Sequence, residues 1–196
     1  MARPRAFDTG AALDEVTAAF WNRGYEATSL ADLEAGTGLS RSSLYQAFGG
    51  KREMFEAALT HYQEQQIDPI LRGLEAPGAG LPELRAYLST LARILRSDPE
   101  LAQRGCLVVN SMSELASHDE DARLTSMAYR QRIIDALANA LRGASGTPAQ
   151  RRQAPQRARV LATTVIGILV TAHLDPEGAA GLCDDLARDL VREFTR

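Results

Sequence analysis

Lysine is all but missing from this chain: Lys51 is the single lysine among 22 basic side chains. Cysteine is scarce too. Cys106 and Cys183 stand alone, too few for a disulfide framework, and they read as free thiols in a reducing cytoplasm. The three histidines, His61, His118 and His173, lie far apart and carry no ligand spacing, so no metal site is expected. Nucleophile elbow, phosphate loop and dinucleotide fingerprint are all missing, which leaves neither an enzyme nor a cofactor to expect. No stretch alternates apolar and polar residues with the period of a strand. The opening residues MARPRAFDTG hold no apolar core of a secretory signal. The longest apolar run, 160–174, is interrupted by Thr163, Thr164, Thr171 and His173. It falls short of the roughly 18 residues that a membrane span needs. A cytoplasmic protein without a membrane partner is expected.

What is present is ordinary in bulk. Of 196 residues, 45% are hydrophobic and 24% charged, enough to bury a sizeable core. The net charge is −3, and residues 1–52 balance acid against base. Charge alone therefore does not mark a nucleic-acid coat; any such affinity must come from where the charges sit.

Helical spacing recurs along the chain. Leu13, Val16, Phe20 and Trp21 share a face over about residues 10–23, and Gly24 has the place of a C-cap. Ser29 and Asp32 have the spacing of a capping box opening a second helix. Gly36 and Gly38 punctuate a turn, and Ser40 caps a third helix that Gly49 and Gly50 break. A fourth helix opens near Lys51 and runs past Gln66, with Pro69 as the place for a kink or an end. The loop 75–81 follows. Leu84, Leu88, Leu91 and Leu95 mark the next helix, and Asp98-Pro99-Glu100 reads as a helix start. Further helices are expected over about 105–116 and 119–142, then a loop holding Gly143, Gly146 and Pro148. The helix over 155–174 is apolar on most sides, and Asp175-Pro176-Glu177 opens the last, with Leu182, Leu186, Leu190 and Phe194 as its stripe. A helix that apolar must be buried, and one partner for it is a second copy of the chain.

The tract 28–51, TSLADLEAGTGLSRSSLYQAFGGK, carries the chemistry. Two short helices joined by a glycine turn, the second opening with small polar residues, have the layout of a helix-turn-helix. Thr28 and Ser29 place hydroxyls and free backbone N–H groups where a phosphate can meet a helix N-terminus. Arg41, Ser42 and Ser43 occupy the turn that enters the major groove, where arginine can pair with guanine or grip a phosphate. Tyr45 and Lys51 are placed to hold the DNA backbone. Leu30, Leu33, Leu39, Leu44 and Phe48 would be the small core fixing the angle between helices.

The tract GYEATSLADLEAGTGLSRSSLYQAFGGKREMF resembles the TetR family of bacterial transcriptional regulators. It has that family's GY turn, Thr/Ser helix start, Gly-x-Ser turn and LY, F and K positions, and the likeness runs from about residue 13 to 59. The resemblance implies an all-α homodimer of about nine helices, with a C-terminal domain that binds a small molecule. It carries Thr28, Ser29, Arg41, Ser42, Ser43, Tyr45 and Lys51 over as DNA-contacting residues. Two positions depart from the pattern. Ala47 stands where many members have His or Tyr, so a backbone contact is in doubt. Ser42 stands where many have glycine, which puts the bases read in doubt.

The expected architecture is thus an N-terminal three-helix helix-turn-helix domain, 1–52, and a C-terminal helical bundle for ligand binding and dimerisation, 53–196. The expected function is a sequence-specific repressor on a near-palindromic double-stranded DNA operator, released by a small-molecule effector. The homodimer would pair through the last two helices. Ligand between the helix near Leu84 and the helix over 155–174 would move the fourth helix as a lever. Polar residues inside apolar helices, Asn110, Ser113, Arg130, Gln131 and Thr163, are candidate ligand contacts. So is Cys106, in the tract RGCLVVNSMSEL, which is similar to a subgroup of the family with Gly-Cys-Leu at the sixth helix. One branch of that subgroup senses oxidants or electrophiles through such a cysteine. Cys106, near a helix start and beside Arg104, is the thiol for that alternative. Cys183 reads as interface packing.

Overall fold

The computed structural model describes residues 8–194. Among them all regular structure is helical: α1 (Thr9–Ala27), α2 (Leu30–Thr37), α3 (Arg41–Phe48), α4 (Lys51–Tyr62), a π turn (Gln63–Ile67), α5 (Asp68–Glu75), α6 (Leu81–Ser97), α7 (Pro99–Gln103), α8 (Leu107–Leu115), α9 (Glu120–Ala144), α10 (Pro148–Thr171) and α11 (Pro176–Phe194). No helix among the described residues is long and apolar enough to cross a membrane.

The helix ends follow capping chemistry. Asp8 accepts from the Gly10 and Ala11 N–H groups to start α1, and Asp98, Asp119 and Thr147 cap α7, α9 and α10 in the same way. Each such cap is worth about 1 kcal/mol. α1 is interrupted at Gly24, whose φ of 79° suits glycine alone, and helix resumes briefly to Ala27.

The chain forms two compact units, one ending at Gln66 and one starting at Ile67. The sequence reading drew its division after Arg52; the structure keeps α4 with the first unit. The reason is packing. Met54, Phe55, Ala58 and Leu59 of α4 are buried, and Phe55 meets Phe20 edge-on with ring centres 5.1 Å apart. Trp21 and Tyr62 pair likewise at 4.9 Å. Few as the aromatics are, they gather here, and each fully buried ring contributes roughly 1.5–3 kcal/mol. His61 of α4 also reaches Asp14 of α1 at 2.6 Å.

The helix of α4 gives way to the π turn at Gln63 rather than at Pro69, which instead sits in the first turn of α5. A proline cannot donate to the carbonyl four residues back and its ring crowds it. A widened turn just ahead of it absorbs that mismatch.

In the second unit α11 lies along α6, α10 along α9, and α5 and α8 also pack on α9. Arg132 of α9 reaches Asp68 at 2.6 Å and Glu75 at 2.7 Å, at the two ends of α5. Asn139 donates to the Leu74 and Ala76 carbonyls.

Three expectations need correction here. α10 starts at Pro148, not at residue 155, because Thr147 and Gln150 close a capping box and Pro148 takes the first turn; Pro155 lies within the helix. Gly143 belongs to α9 and not to the loop. α11 buries Ala179, Ala180, Cys183, Ala187 and Leu190, while Leu182 is 45% exposed. Cys183 is therefore core within one chain, not interface packing. Small residues let α11 approach α6 closely, and the larger leucines were the misleading signal.

Candidate nucleic-acid interface

The first unit holds a helix-turn-helix. Ser29 caps α2: its hydroxyl accepts the Asp32 N–H, while its own N–H and hydroxyl donate to the Asp32 carboxylate. Those two bonds hold the Asp32 carboxyl below the usual carboxylate range, with the Arg23 charge, 2.8 Å away, adding to them. α2 ends at Gly38 in the left-handed region, φ 67°. That residue turns the chain sharply and sends it into the Ser40 cap of α3. Leu33 and Leu44 are fully buried and lock the two helices together. Leu30, Leu39 and Phe48 are only half-buried at the rim of that core.

The outer side of α3 is polar. Arg41, Ser42 and Tyr45 are exposed and Ser43 half-buried. The Ser40 hydroxyl accepts the Ser43 N–H and lies 3.0 Å from both the Ser42 and Ser43 hydroxyls. Short, exposed donors and acceptors of this kind reach base edges without the entropy of long side chains. Arg41 is tied to α2: Glu34 accepts its N–H at 2.7 Å and lies 3.7 Å from its guanidinium. Lys51 opens α4, with its Nζ 4.5 Å from the Tyr25 ring centre and 3.4 Å from the Glu26 carbonyl oxygen.

Thr28 stands apart. The structure buries it completely, and its hydroxyl donates to the Gly24 carbonyl at 2.6 Å. The expectation that this hydroxyl meets a phosphate is corrected: it secures the end of α1. Glu34, not singled out by the sequence reading, joins this surface. Its only sequence signal is that it is an acid seven residues before Arg41.

The six ligand candidates are not brought together. Ser113, Arg130, Gln131 and Thr163 are exposed. Ser113 and Thr163 donate back to the carbonyls four residues earlier, the usual way a helix hides a hydroxyl. Gln131 donates to Asp135. Asn110 is half-buried, with its amide donating to the Arg104 carbonyl and its oxygen 3.0 Å from His173 Nε2. The other nitrogen of His173 lies 2.6 Å from the Gln103 carbonyl oxygen. His173 is thus satisfied, but it is exposed rather than buried. Cys106 is the N-cap residue of α8 and is buried, with its sulfur 3.8 Å from the Tyr129 hydroxyl. Buried polar side chains not anticipated from the sequence include Tyr87, Ser111, Ser126 and Tyr129. They sit at apolar-looking helical positions, so pattern alone gave no signal for them. Burial pushes the Tyr87 phenol up, with charge on Cys183 and Cys106 adding to it. No group of acids, histidines and cysteines among the described residues could hold a metal ion.

A glycine turn between two short capped helices, locked by two buried leucines and faced with short polar side chains, defines a DNA-binding protein of the helix-turn-helix class. Comparison with known proteins gives the family. Residues 12–58 match the family model described as bacterial regulatory proteins, tetR family. The chain is 34% identical over 141 residues, 72% of each protein, to the uncharacterized HTH-type transcriptional regulator YezE of Bacillus subtilis (strain 168). It is 34% identical over 126 residues to the HTH-type transcriptional repressor ComR of Escherichia coli (strain K12), spanning 61% of this chain and 56% of that one. Among solved structures it is similar to a cysteine mutant of the TetR family transcriptional regulator CifR complexed with 26bp double-strand operator DNA. That likeness has a TM-score of 0.75 and 28% identity, over 95% of this chain and 98% of the other. The chain belongs to the TetR family and is a DNA-binding transcriptional regulator. Its relatives are regulators of transcription, not enzymes.

Proposed function

We propose that this chain is a cytoplasmic homodimeric repressor, released from a near-palindromic operator by a small molecule bound in its second unit. Ser29, Arg41, Ser42, Ser43, Tyr45 and Lys51 contact the DNA. Ser29, Tyr45 and Lys51 grip the phosphate backbone; Arg41, Ser42 and Ser43 face base edges. Among the curated relatives, ComR is named a repressor, which supports that sign of regulation.

The observation that carries the dimer is the outer face of α10 and α11. Val160 is 64% exposed, Val170 47%, Leu174 88% and Leu182 45%. Val160 and Val170 stand on α10, Leu174 in the turn that follows it and Leu182 on α11. Val160 also borders a groove of about 550 Å³ whose lining mixes Leu161, Leu186 and Leu190 with Arg157, Asp189 and Glu193. Exposed apolar side chains of this kind support an interaction face, and a second copy covering them makes a two-fold dimer whose recognition helices read two half-sites.

The effector acts on the second unit. α9 grips α5 through Arg132 and Asn139, and α5 continues by the π turn into α4. A ligand that repositions α9 therefore acts, through these ion pairs and hydrogen bonds and then the backbone, toward the helix on which Lys51 stands. It need only favour the released state to shift the population.

Fluorescence anisotropy tests this. Purified protein is titrated into a duplex enriched from a random-sequence library, at several salt concentrations, with and without a panel of small apolar molecules. Tight, salt-sensitive binding to a palindromic sequence that one molecule releases is the expected result. Enrichment of an asymmetric half-site alone would reject the dimeric reading. Operator binding that no small molecule releases, but a mild oxidant does, would replace the ligand with a thiol input and make Cys106→Ser the next variant.

A further inference from the structure

Glu34 stands on α2, yet its carboxylate acts on α3. Oε1 accepts the backbone N–H of Arg41 at 2.7 Å. Oε2 lies 3.7 Å from Nη2 of the same residue. The first turn of α3 has no acidic residue of its own, so Glu34 supplies from outside the negative charge that a helix start favours. Both side chains remain accessible, Arg41 58% and Glu34 32% exposed.

The pairing has two physical consequences. An arginine free in solvent carries rotamer entropy, which it must give up when it docks. Holding the guanidinium beforehand removes part of that cost from the binding step, and it does so only for a site that matches the held geometry. The second consequence is electrostatic. A bare arginine on this surface attracts any phosphate, whereas a paired one is locally neutral and adds little to sequence-independent attraction. A carboxylate at a DNA-facing helix start thus lowers indiscriminate affinity and leaves the remaining guanidinium donors for an acceptor in the right place.

We propose that Glu34 is the positioning residue for Arg41: it presets the guanidinium at the start of the recognition helix and so sets the preference for operator over other DNA. This rests on Arg41 being a DNA contact.

The test is Glu34→Gln, which keeps an oxygen for the Arg41 N–H but removes the charge. Circular dichroism and a thermal melt confirm that it folds. Affinity is measured by anisotropy, over a range of KCl concentrations, for a duplex enriched by the wild-type protein from a random library and for a shuffled duplex of equal length. E34Q is expected to bind the shuffled duplex more tightly and to lose about tenfold in the operator-to-shuffled ratio. Its salt slope should steepen by about one for each Arg41 released to a phosphate. Arg41→Lys keeps the charge but not the fork, and should lose the ratio to a similar degree. In an Arg41→Ala background, E34Q should no longer change the ratio. An unchanged ratio and salt slope in E34Q, where Arg41→Ala does weaken operator binding, overturns the role of Glu34. Operator binding that is indifferent to Arg41→Ala overturns the assignment of Arg41 itself, and this inference with it.

Discussion

A methyl group at Gly143 would lie 2.0 Å from the Ala79 carbonyl oxygen and 3.0 Å from its carbon. Two effects oppose each other in Gly143→Ala. Alanine in a helix is better than glycine by about 1 kcal/mol. Against that, the atoms in the way are backbone, which cannot swing aside, and overpacking costs about 1–3 kcal/mol. The clash wins, and the melting temperature should fall by several degrees. A rise on thermal denaturation would mean that the loop before α6 yields freely. Cys183 gives a second prediction at this scale. Burial pushes its thiol up to about 11, with Asp184 adding and Arg96 opposing. The folded protein therefore keeps a proton that the unfolded chain releases near pH 9. Stability from this site is intact below that pH and falls as pH rises toward 11. Urea midpoints at pH 8 and pH 10.5 should differ less in Cys183→Ala than in the wild type. Native Cys183 should also resist alkylation at neutral pH, since the thiolate is the reactive form.

Among the elements, α3 cannot stand alone: eight residues are too few for a helix to persist in water without tertiary support. Leu44 is its one buried side chain and is fully enclosed. Leu44→Ala should cost about 2–5 kcal/mol. Because the chain forms two compact units, the loss should fall on the first. Hydrogen exchange should show α1 to α4 losing protection while α9 and α10 keep theirs; uniform loss would mean that the units fold as one. The elements also show what a sequence reveals. Ser29 with Asp32, Ser40, Gly38 and Asp98 were readable because caps and glycine turns act over three or four residues. The start of α10 was not, since Pro155 imitates a helix opening that Pro148 provides. Nor was the inward face of α11, where close approach to α6 selects Ala179, Cys183 and Ala187 over larger leucines. The ligand candidates are scattered for a related reason. A polar residue in an apolar helix can bond to its own backbone, as Ser113 and Thr163 do, and only the fold shows which way it turns. The exposed polar face of α3, with Arg41, Ser42 and Tyr45, was legible; the burial of Thr28 was not, because a hydroxyl at a helix start can also turn inward to close the preceding one.

For the whole molecule the decisive quantity is the number of phosphates engaged together. If α10 and α11 pair two copies, Leu174 and Val160 go from open solvent to the centre of an interface. A glutamate at either position then becomes a buried, unpaired charge costing several kcal/mol. The double variant Val160→Glu with Leu174→Glu should leave each chain folded, because both side chains are exposed in the single chain. It should sediment as a monomer. One recognition helix then meets one half-site, so operator affinity should fall by orders of magnitude. The salt slope should fall to about half, because it scales with the phosphates neutralised. Sedimentation separates this outcome from a general loss of activity: a damaged DNA surface lowers affinity in a protein that still sediments as a dimer. A variant that remains dimeric with an unchanged slope would move the pairing surface off these helices and leave the exposed stripe for another partner.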